Sequence, residues 1–398
     1  MDEAEVAIVG GGPAGAALAI RLAAAGVEVA LFERQPEPRW RACGVYSSPL
    51  TRGALAALGV GGEAAAALLR PIDAMEVVSM RGPLVRLDHH DPYACGVDRV
   101  RLERVLLDIA VAHGAQVHEG AAVRDLRPAR GHTDFSIAAQ GGISPWRARI
   151  VVGADGPASL VARTFGVARP SRRGRHAGIT VHRVDPDARP GSLPATARMF
   201  LGRGWYCGLA PATDGRVNVG IVMGEATLRQ RLAYGGPAAV VDGILGDLPG
   251  PAGKLRDALS TDEVRVALPL AHRVARPSGA GYLLVGDAAG FLDPLSGEGL
   301  HRAFVSAELA AAALIEDRRG DPEAIGRYAR RMHRRFATKD VLSWLLQGFV
   351  AVPELADYAL RRMSTRDAIR DTFGRVLADQ LPASRALGPG FLAGLLRP

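Results

Sequence analysis

Hydrophobic positions first gather at Val6–Val9, a short apolar run bounded by glycine, which predicts a buried parallel strand. The Ala/Leu-rich run Ala16–Ala25 carries Leu18 and Leu22 four apart on one face and predicts a helix. Val27–Phe32 predicts a second strand, so the chain opens on a strand–helix–strand unit. Loose alternation over Ala74–Leu87 predicts further strands. Asp98 and Arg99 open a helix with apolar positions Leu102, Val105, Leu106 and Ile109, ending near His113 and Gly114. Val117 and Val123 belong to the strands that follow. Ile150–Gly153 is another apolar strand running into Asp155, and Ser159 and Arg163 fall one turn apart on the next helix.

Between Arg172 and Pro277 the texture changes. Alternating runs at Thr196–Phe200, Trp205–Leu209, Val217–Val222 and Glu263–Leu268 are separated by Pro/Gly turns, with a helical patch over Glu225–Leu248. A strand ending at Gly286 returns to the opening texture. A glycine-rich turn then leads into a long helix from about Gly299 through Ala303, Leu309 and Leu314. The rest reads as helix: Leu342, Leu345, Leu346 and Phe349 form an apolar stripe, punctuated afterwards by Pro353, Pro382 and Pro389. The pattern predicts an α/β chain (α+β overall). A discontinuous nucleotide-binding domain spans 1–73, 98–171 and 278–326. A mostly antiparallel sheet domain spans 74–97 and 172–277, and a C-terminal helical region spans 327–398.

At 398 residues the chain can bury two or three cores. No apolar leader precedes Val6, and no uncharged run reaches about 18 residues, so neither a signal peptide nor a membrane span is expected. Cys43, Cys95 and Cys207 are widely spaced and odd in number, which suits a reducing, cytoplasmic setting rather than a disulfide framework or zinc site. His89 and His90 are adjacent, so on a strand they face opposite ways and make a poor metal pair; no metal is expected. The net charge of +8 is carried almost wholly by arginine, with Lys254 and Lys339 the only lysines. Arg327, Arg330, Arg331, Arg334 and Arg335 recur at helical spacing ahead of the Leu342–Phe349 stripe. Two readings stand: a solvated basic face on a packed helix, or peripheral docking on anionic lipid. No aromatic platform interleaves the arginines, so nucleic acid is not an expected partner.

The opening unit carries the chemistry. Gly10-x-Gly12-x-x-Gly15 sits at its strand-to-helix turn, with Pro13 and Ala14 between the last two glycines. Gly10 permits the tight turn, Gly12 lets a pyrophosphate approach the backbone, and Gly15 lets helix and strand pack closely. The phosphates then face free N–H groups at the positive end of the helix. Glu33 ends the second strand, where a carboxylate can accept both hydroxyls of an adenosine ribose; a 2′-phosphate would be repelled. FAD or NAD therefore fits, and NADP does not.

Three motifs in order, the opening unit, Gly153-Ala-Asp155-Gly156-x-x-Ser159 and Val285-Gly286-Asp287-Ala-Ala-Gly290, resemble the flavoprotein superfamily of group A aromatic hydroxylases, geranylgeranyl reductases and flavin-dependent halogenases. The resemblance spans residues 4 to 320. It implies a Rossmann-like FAD-binding domain of the p-hydroxybenzoate hydroxylase type. It further implies that Asp287, after Gly286, bonds the FAD ribityl chain, that Arg99 reaches the pyrophosphate, that the Val123 backbone borders the adenine, and that Asp155 and Gly156 lie near the pyrophosphate. Arg34 and Gly44 join the cofactor contacts, as do Pro294, Gly297, Gly299 and Leu300. The last three head a helix whose positive end stabilises reduced flavin. An alternative role for Asp287 is to cap a helix. Cys43, Tyr206 and His301 are the candidate catalytic residues.

Cys43-Gly44 and Asp293-Pro294-Leu-Ser-Gly297-Glu-Gly299 look most like the reductase branch. The stretch Tyr206-Cys-Gly208-Leu-Ala210-Pro211, followed by Asn218-Val-Gly220, replaces that branch's Trp and Phe by small residues and opens more room over the flavin. The absence of a lysine before Lys254 argues against halogenation. The expectation is an FAD enzyme, with NAD(P)H as transient reductant, that hydroxylates a hydrophobic aromatic or polyketide-like molecule in a water-excluding cavity. Alternatives are reduction of an isolated C=C in an isoprenoid lipid, or non-catalytic prenyl binding.

Overall fold

The computed structural model describes residues 1–89, 92–170, 176–188, 195–268, 270–291, 295 and 297–396. Strand Asp2–Val9 lies at the heart of a first sheet because its Val6–Val9 run is apolar on both faces. It pairs in parallel with Val29–Glu33 on one side, Val6 opposite Val29, and with Gly142–Gly153 on the other, Val6 opposite Ile150. The parallel order continues outward to Gln116–Glu119 beside Val29–Glu33, and to Tyr282–Leu284 beside Gly142–Gly153. Helices Pro13–Ala24, Arg99–Ala112 and Gly299–Arg318 cover one face, where Leu18, Leu22, Leu102, Leu106 and Phe304 share a core. The other face is covered by an antiparallel meander, Ala122–Ala129 with His132–Ala139, which runs back into Gly142–Gly153. There Phe32 meets Trp146 edge-on at 5.0 Å. The 132–148 arm of this meander was not legible in the pattern, because its strands mix charged and apolar residues at the solvent edge.

The second sheet is antiparallel except where Ala195–Gly202 runs parallel to Leu69–Ser79. Its centre is Trp205–Pro211, Arg216–Gly224 and His176–Val184. The expected strand over Glu263–Leu268 shortens to Arg265–Ala267, paired with Gly178–Thr180. This sheet also reaches back before residue 74. Leu69–Ile72 pair with Ala94–Val97, and Tyr46–Ser47 add an edge strand. Two residues carry no period, so that edge strand left no trace in the sequence pattern. Helix Glu225–Asp247, kinked at Gly236 ahead of Pro237, packs Val240, Val241, Ile244 and Leu245 on the outer face of the sheet.

The C-terminal helices are tied to both sheets. Tyr328, Met332 and Phe336 of helix Ala324–Ala351 enter the first core, and the buried Tyr328 hydroxyl donates to the Leu284 carbonyl over 2.6 Å. Ala359, Leu360 and Met363 of helix Pro353–Ser364 close over Val85 and Leu87 of the second sheet. Among the described residues no helix is long and apolar enough to cross a membrane.

Candidate active site

The glycine loop has the geometry its spacing demands. Gly10 has φ +108°, and a Cβ there would collide with the Ala154 carbonyl; a Cβ on Gly15 would collide with the Gly10 carbonyl. Gly12 is different. Its backbone is ordinary, and a Cβ there would meet nothing within 4 Å. It caps helix Pro13–Ala24, whose first turn has no side-chain cap and no acidic residue. The free N–H groups therefore face open space, which is the chemistry of an anion cradle.

That space belongs to a cavity of about 460 Å³ between the two sheets. The first domain contributes Gly12, Pro13, Ala14, Arg99, Gly156, Gly286 and Asp287 to its wall. Cys43, Gly44 and Tyr46 enter from the segment that crosses toward the second sheet. Gly297, Gly299 and Leu300 bring the N-terminus of helix Gly299–Arg318, whose N-cap residue Glu298 makes no side-chain capping bond, to the same space. Tyr206, Gly208, Ala210, Thr180, Asn218 and Gly220 face in from the second sheet. Gly208 and Gly220 are cross-strand partners, and Gly220 also stands opposite Thr180. Together they form a flat glycine floor flanked by Met199.

Several groups on the wall are ionisable and buried. Asp287 lies in the turn Gly286–Ala289 and is the N-cap of no described helix: Val285 precedes that turn and Glu298 precedes the long helix that follows. Burial pushes its carboxyl up, with Arg99 and Arg302 opposing the shift. Arg99 donates to the Cys43 sulfur over 2.8 Å and to Glu103 over 3.2 Å, while its Nε is buried without a partner. Burial pushes the Cys43 thiol up as well, Arg99 acting against it, and the sulfur lies 3.0 Å from the Gly44 carbonyl as a donor.

Other expected site residues lie off the wall. Glu33 is buried under the glycine loop, where its carboxylate accepts from the Gly11 N–H over 2.8 Å and the Gln35 N–H over 3.0 Å, with Arg41 at 3.4 Å. It braces the loop rather than opening on the cavity. Arg34 is exposed. Val123 is packed in the meander core opposite Ile137. Asp155 accepts from the Leu160 N–H over 2.6 Å at the head of the short helix Leu160–Thr164, which Ser159 caps, and so holds the turn that brings Gly156 to the wall. Pro294 lies outside the described residues.

His301 is a correction. One residue past Leu300 on the helix, it turns about 100° away from the cavity and faces the C-terminal helix. It is buried, with Nε2 3.3 Å from Arg335. Burial first, then Arg335 and Lys339, push its pKa down to about 4, so it is a neutral packed base and not a proton donor at the cavity. Lys339 is also away from the wall, bonded to Glu298 over 2.6 Å and paired with Asp379. Lys254 is exposed beside Asp187, and no lysine is on the cavity wall.

Sequence reasoning missed three wall features. The Tyr46 hydroxyl is 3.0 Å from Nε2 of the buried His89, and burial keeps the phenol protonated well beyond its ordinary range. Arg198 pairs with Glu76 over 3.0 Å on the wall. Asn218 donates from its amide to Thr180 over 3.0 Å. Only Asn218 had a signal, in its quoted Asn-Val-Gly motif.

A glycine-loop nucleotide cradle on a parallel sheet, facing an apolar cavity under an antiparallel sheet, defines a flavoprotein oxidoreductase of the two-domain FAD type. The chain belongs to the FAD-binding domain family, whose model matches residues 3–201. Digeranylgeranylglycerophospholipid reductase 1 of Methanopyrus kandleri is 29% identical over 335 residues, covering 79% of this chain and 81% of that protein. The menaquinone reductase of Mycobacterium tuberculosis is 28% identical over 331 residues, covering 79% and 77%. The solved structure of a flavoprotein/dehydrogenase from Cytophaga hutchinsonii has a TM-score of 0.82 at 19% identity, covering 95% of this chain and 93% of that one, a likeness of fold. The protein is an FAD-dependent oxidoreductase.

Proposed function

We propose that the protein reduces a carbon–carbon double bond in a hydrophobic, isoprenoid-type molecule, with NAD(P)H as the transient reductant of its FAD. The observation that carries this is the one cavity running from the Gly12 cradle to the apolar floor at Gly208 and Gly220. The two relatives named as reductases of lipid-like molecules support it, and they move the reading from hydroxylation, expected from the sequence, to reduction. The residues fit the cofactor: Gly12 leaves the phosphate space open, Arg99 has a buried donor unmatched among the described residues, and Asp287 stands on the wall.

Gly12, Arg99 and Asp287 would hold FAD, with the helix at Gly299 facing the flavin edge that becomes negative on reduction. Bound there and reduced by NAD(P)H, the flavin would supply a hydride to one carbon of the double bond. The other carbon needs a proton. Cys43, Tyr46 and Tyr206 are wall groups that can carry one, and Tyr46 has His89 behind it to restore the proton. The glycine floor accepts a flat or extended chain and excludes water from the reacting carbons.

The test is anaerobic turnover of prenylated substrates with NAD(P)H, read by product mass. A product heavier by two hydrogens, formed without oxygen, supports reduction. A product that gains an oxygen atom with matching O₂ uptake sinks it and reinstates hydroxylation. Replacing Tyr46 by Phe and Cys43 by Ala separately then identifies which carries the proton.

A further inference from the structure

Helix Ala324–Ala351 is apolar on two sides near its C-terminal end. One side is packed: Leu342 is buried, and Leu346 and Phe349 rest on clusters formed with later helices. The other side is bare. Val341, Trp344 and Leu345 keep 51%, 37% and 47% of their surface exposed, and Val352 and Leu355 at the turn into the next helix keep 41% and 50%. Positions 341, 344, 345 and 348 share one helix face, which Val352 extends into the turn. Arg330 and Arg334 continue the same face toward the N-terminus.

The five arginines of the sequence pattern divide here. Arg327 is bonded to Glu316 and Asp321, Arg331 to Glu316, and Arg335 turns toward His301. Arg330 and Arg334 are exposed and have no partner among the described residues. The one acidic residue between Ala324 and Ala351, Asp340, lies beside this face and is bonded to Arg302 over 2.7 Å. The first acid beyond, Glu354, is held by Arg81 at 2.6 Å and Arg203 at 3.6 Å.

We propose that this stripe is a docking surface for an anionic lipid bilayer, with Trp344, Leu345 and Val341 entering the headgroup–acyl boundary and Arg330 and Arg334 meeting lipid phosphates. A contiguous apolar strip on a soluble face marks an interaction site. The Trp344 ring, apolar in body with a polar N–H, suits that boundary. A second copy of this chain is the weaker occupant: meeting face to face, it would bring two more unpaired arginines and no carboxylate from the stripe to meet them. The proposal does not depend on which reaction the cavity performs.

The experiment is co-sedimentation of the FAD-loaded 398-residue chain with phosphatidylcholine vesicles, with and without phosphatidylglycerol, at low and high salt. Sedimentation that needs phosphatidylglycerol and fades with salt is expected. Arg330→Gln with Arg334→Gln weakens it about tenfold or more, each arginine near an anionic surface counting for about fivefold. Trp344→Ser with Leu345→Ser weakens it about tenfold as well. Both variants keep the flavin content and melting temperature of the parent, because none of the four side chains packs in a core. Failure to sediment with phosphatidylglycerol vesicles at low salt overturns the proposal, and so does undiminished binding by both variants. A concentration-dependent dimer that Trp344→Ser with Leu345→Ser dissolves, without vesicle binding, assigns the face to a second copy and also overturns it.

Discussion

The Arg99 guanidinium bridges Cys43 and Glu103, giving one terminal nitrogen to the sulfur at 2.8 Å and the other to the carboxylate at 3.2 Å. That leaves Nε buried and unmatched among the described residues, on a side chain of the cavity wall. A buried donor without a partner is costly unless a ligand meets it. Arg99→Met is expected to weaken FAD binding roughly ten- to a hundredfold, since a hydrogen bond to a charged group is worth about 1.5–3 kcal/mol. The same change removes the positive charge that opposes the burial-raised thiol of Cys43, so alkylation of Cys43 slows at a given pH. Flavin fluorescence titration and mass-resolved alkylation read the two effects. An unchanged dissociation constant would remove Arg99 from the cofactor site.

Gly12 and Gly15 separate binding from folding. At Gly12 a side chain meets nothing in the protein, so Gly12→Val is expected to leave the apoprotein's melting temperature unchanged and abolish flavin retention. At Gly15 a Cβ strikes the Gly10 carbonyl, so Gly15→Ala destabilises the protein itself, with or without FAD. Calorimetry of both apoproteins beside their flavin content checks this. Equal losses of stability in the two variants would mean that Gly12 is structural.

The FAD-binding half was legible because each of its signals has a local cause. A glycine that must avoid the Ala154 carbonyl, an apolar run on a central parallel strand and the Asp98 cap, which accepts from the Arg101 N–H, all mark themselves within a few residues. The wall of the cavity is different, because tertiary packing decides which way a side chain points. His301 and Leu300 are neighbours in sequence, yet only Leu300 reaches the cavity. Glu33 ends its strand where a ribose carboxylate is expected, and the fold uses it to hold the Gly11 and Gln35 amides. Tyr46 and His89 are 43 residues apart and meet only because the edge strand folds over the Ala94–Val97 strand. The arginines at 327 to 335 show the same limit: spacing placed them on a helix, but only packing tells which ones are paired.

The second sheet sets what the cavity can hold. The Thr180 hydroxyl donates to the Val219 carbonyl over 2.8 Å, so it must accept from the Asn218 amide at 3.0 Å. That fixes the amide, and its oxygen is turned to the Gly220 side. Asn218→Leu is therefore expected to raise KM about tenfold for substrates with a hydroxyl or N–H at that end, and to spare purely hydrocarbon ones. Gly208→Leu fills the floor, so substrate-induced changes in the flavin spectrum disappear while flavin content stays at the parent level. Retained substrate binding in Gly208→Leu would place the substrate elsewhere.

His301 makes stability depend on pH in a defined direction. Its folded pKa is pushed down to about 4 from the ordinary 6.5 by burial, then by Arg335 and Lys339. The unfolded chain therefore takes up a proton at a pH where the folded chain does not. The stabilisation is complete above pH 6.5 and is lost as the pH falls toward 4. A gap of that size corresponds to at most roughly 3 kcal/mol. Glutamine keeps a polar group beside Arg335 and removes the titration. His301→Gln is expected to lose stability less steeply than the parent between neutral pH and about 5, where carboxylates contribute little to the slope. Urea midpoints measured across that range for both proteins decide it. Parallel curves would show that His301 already shares its proton with solvent in the folded state.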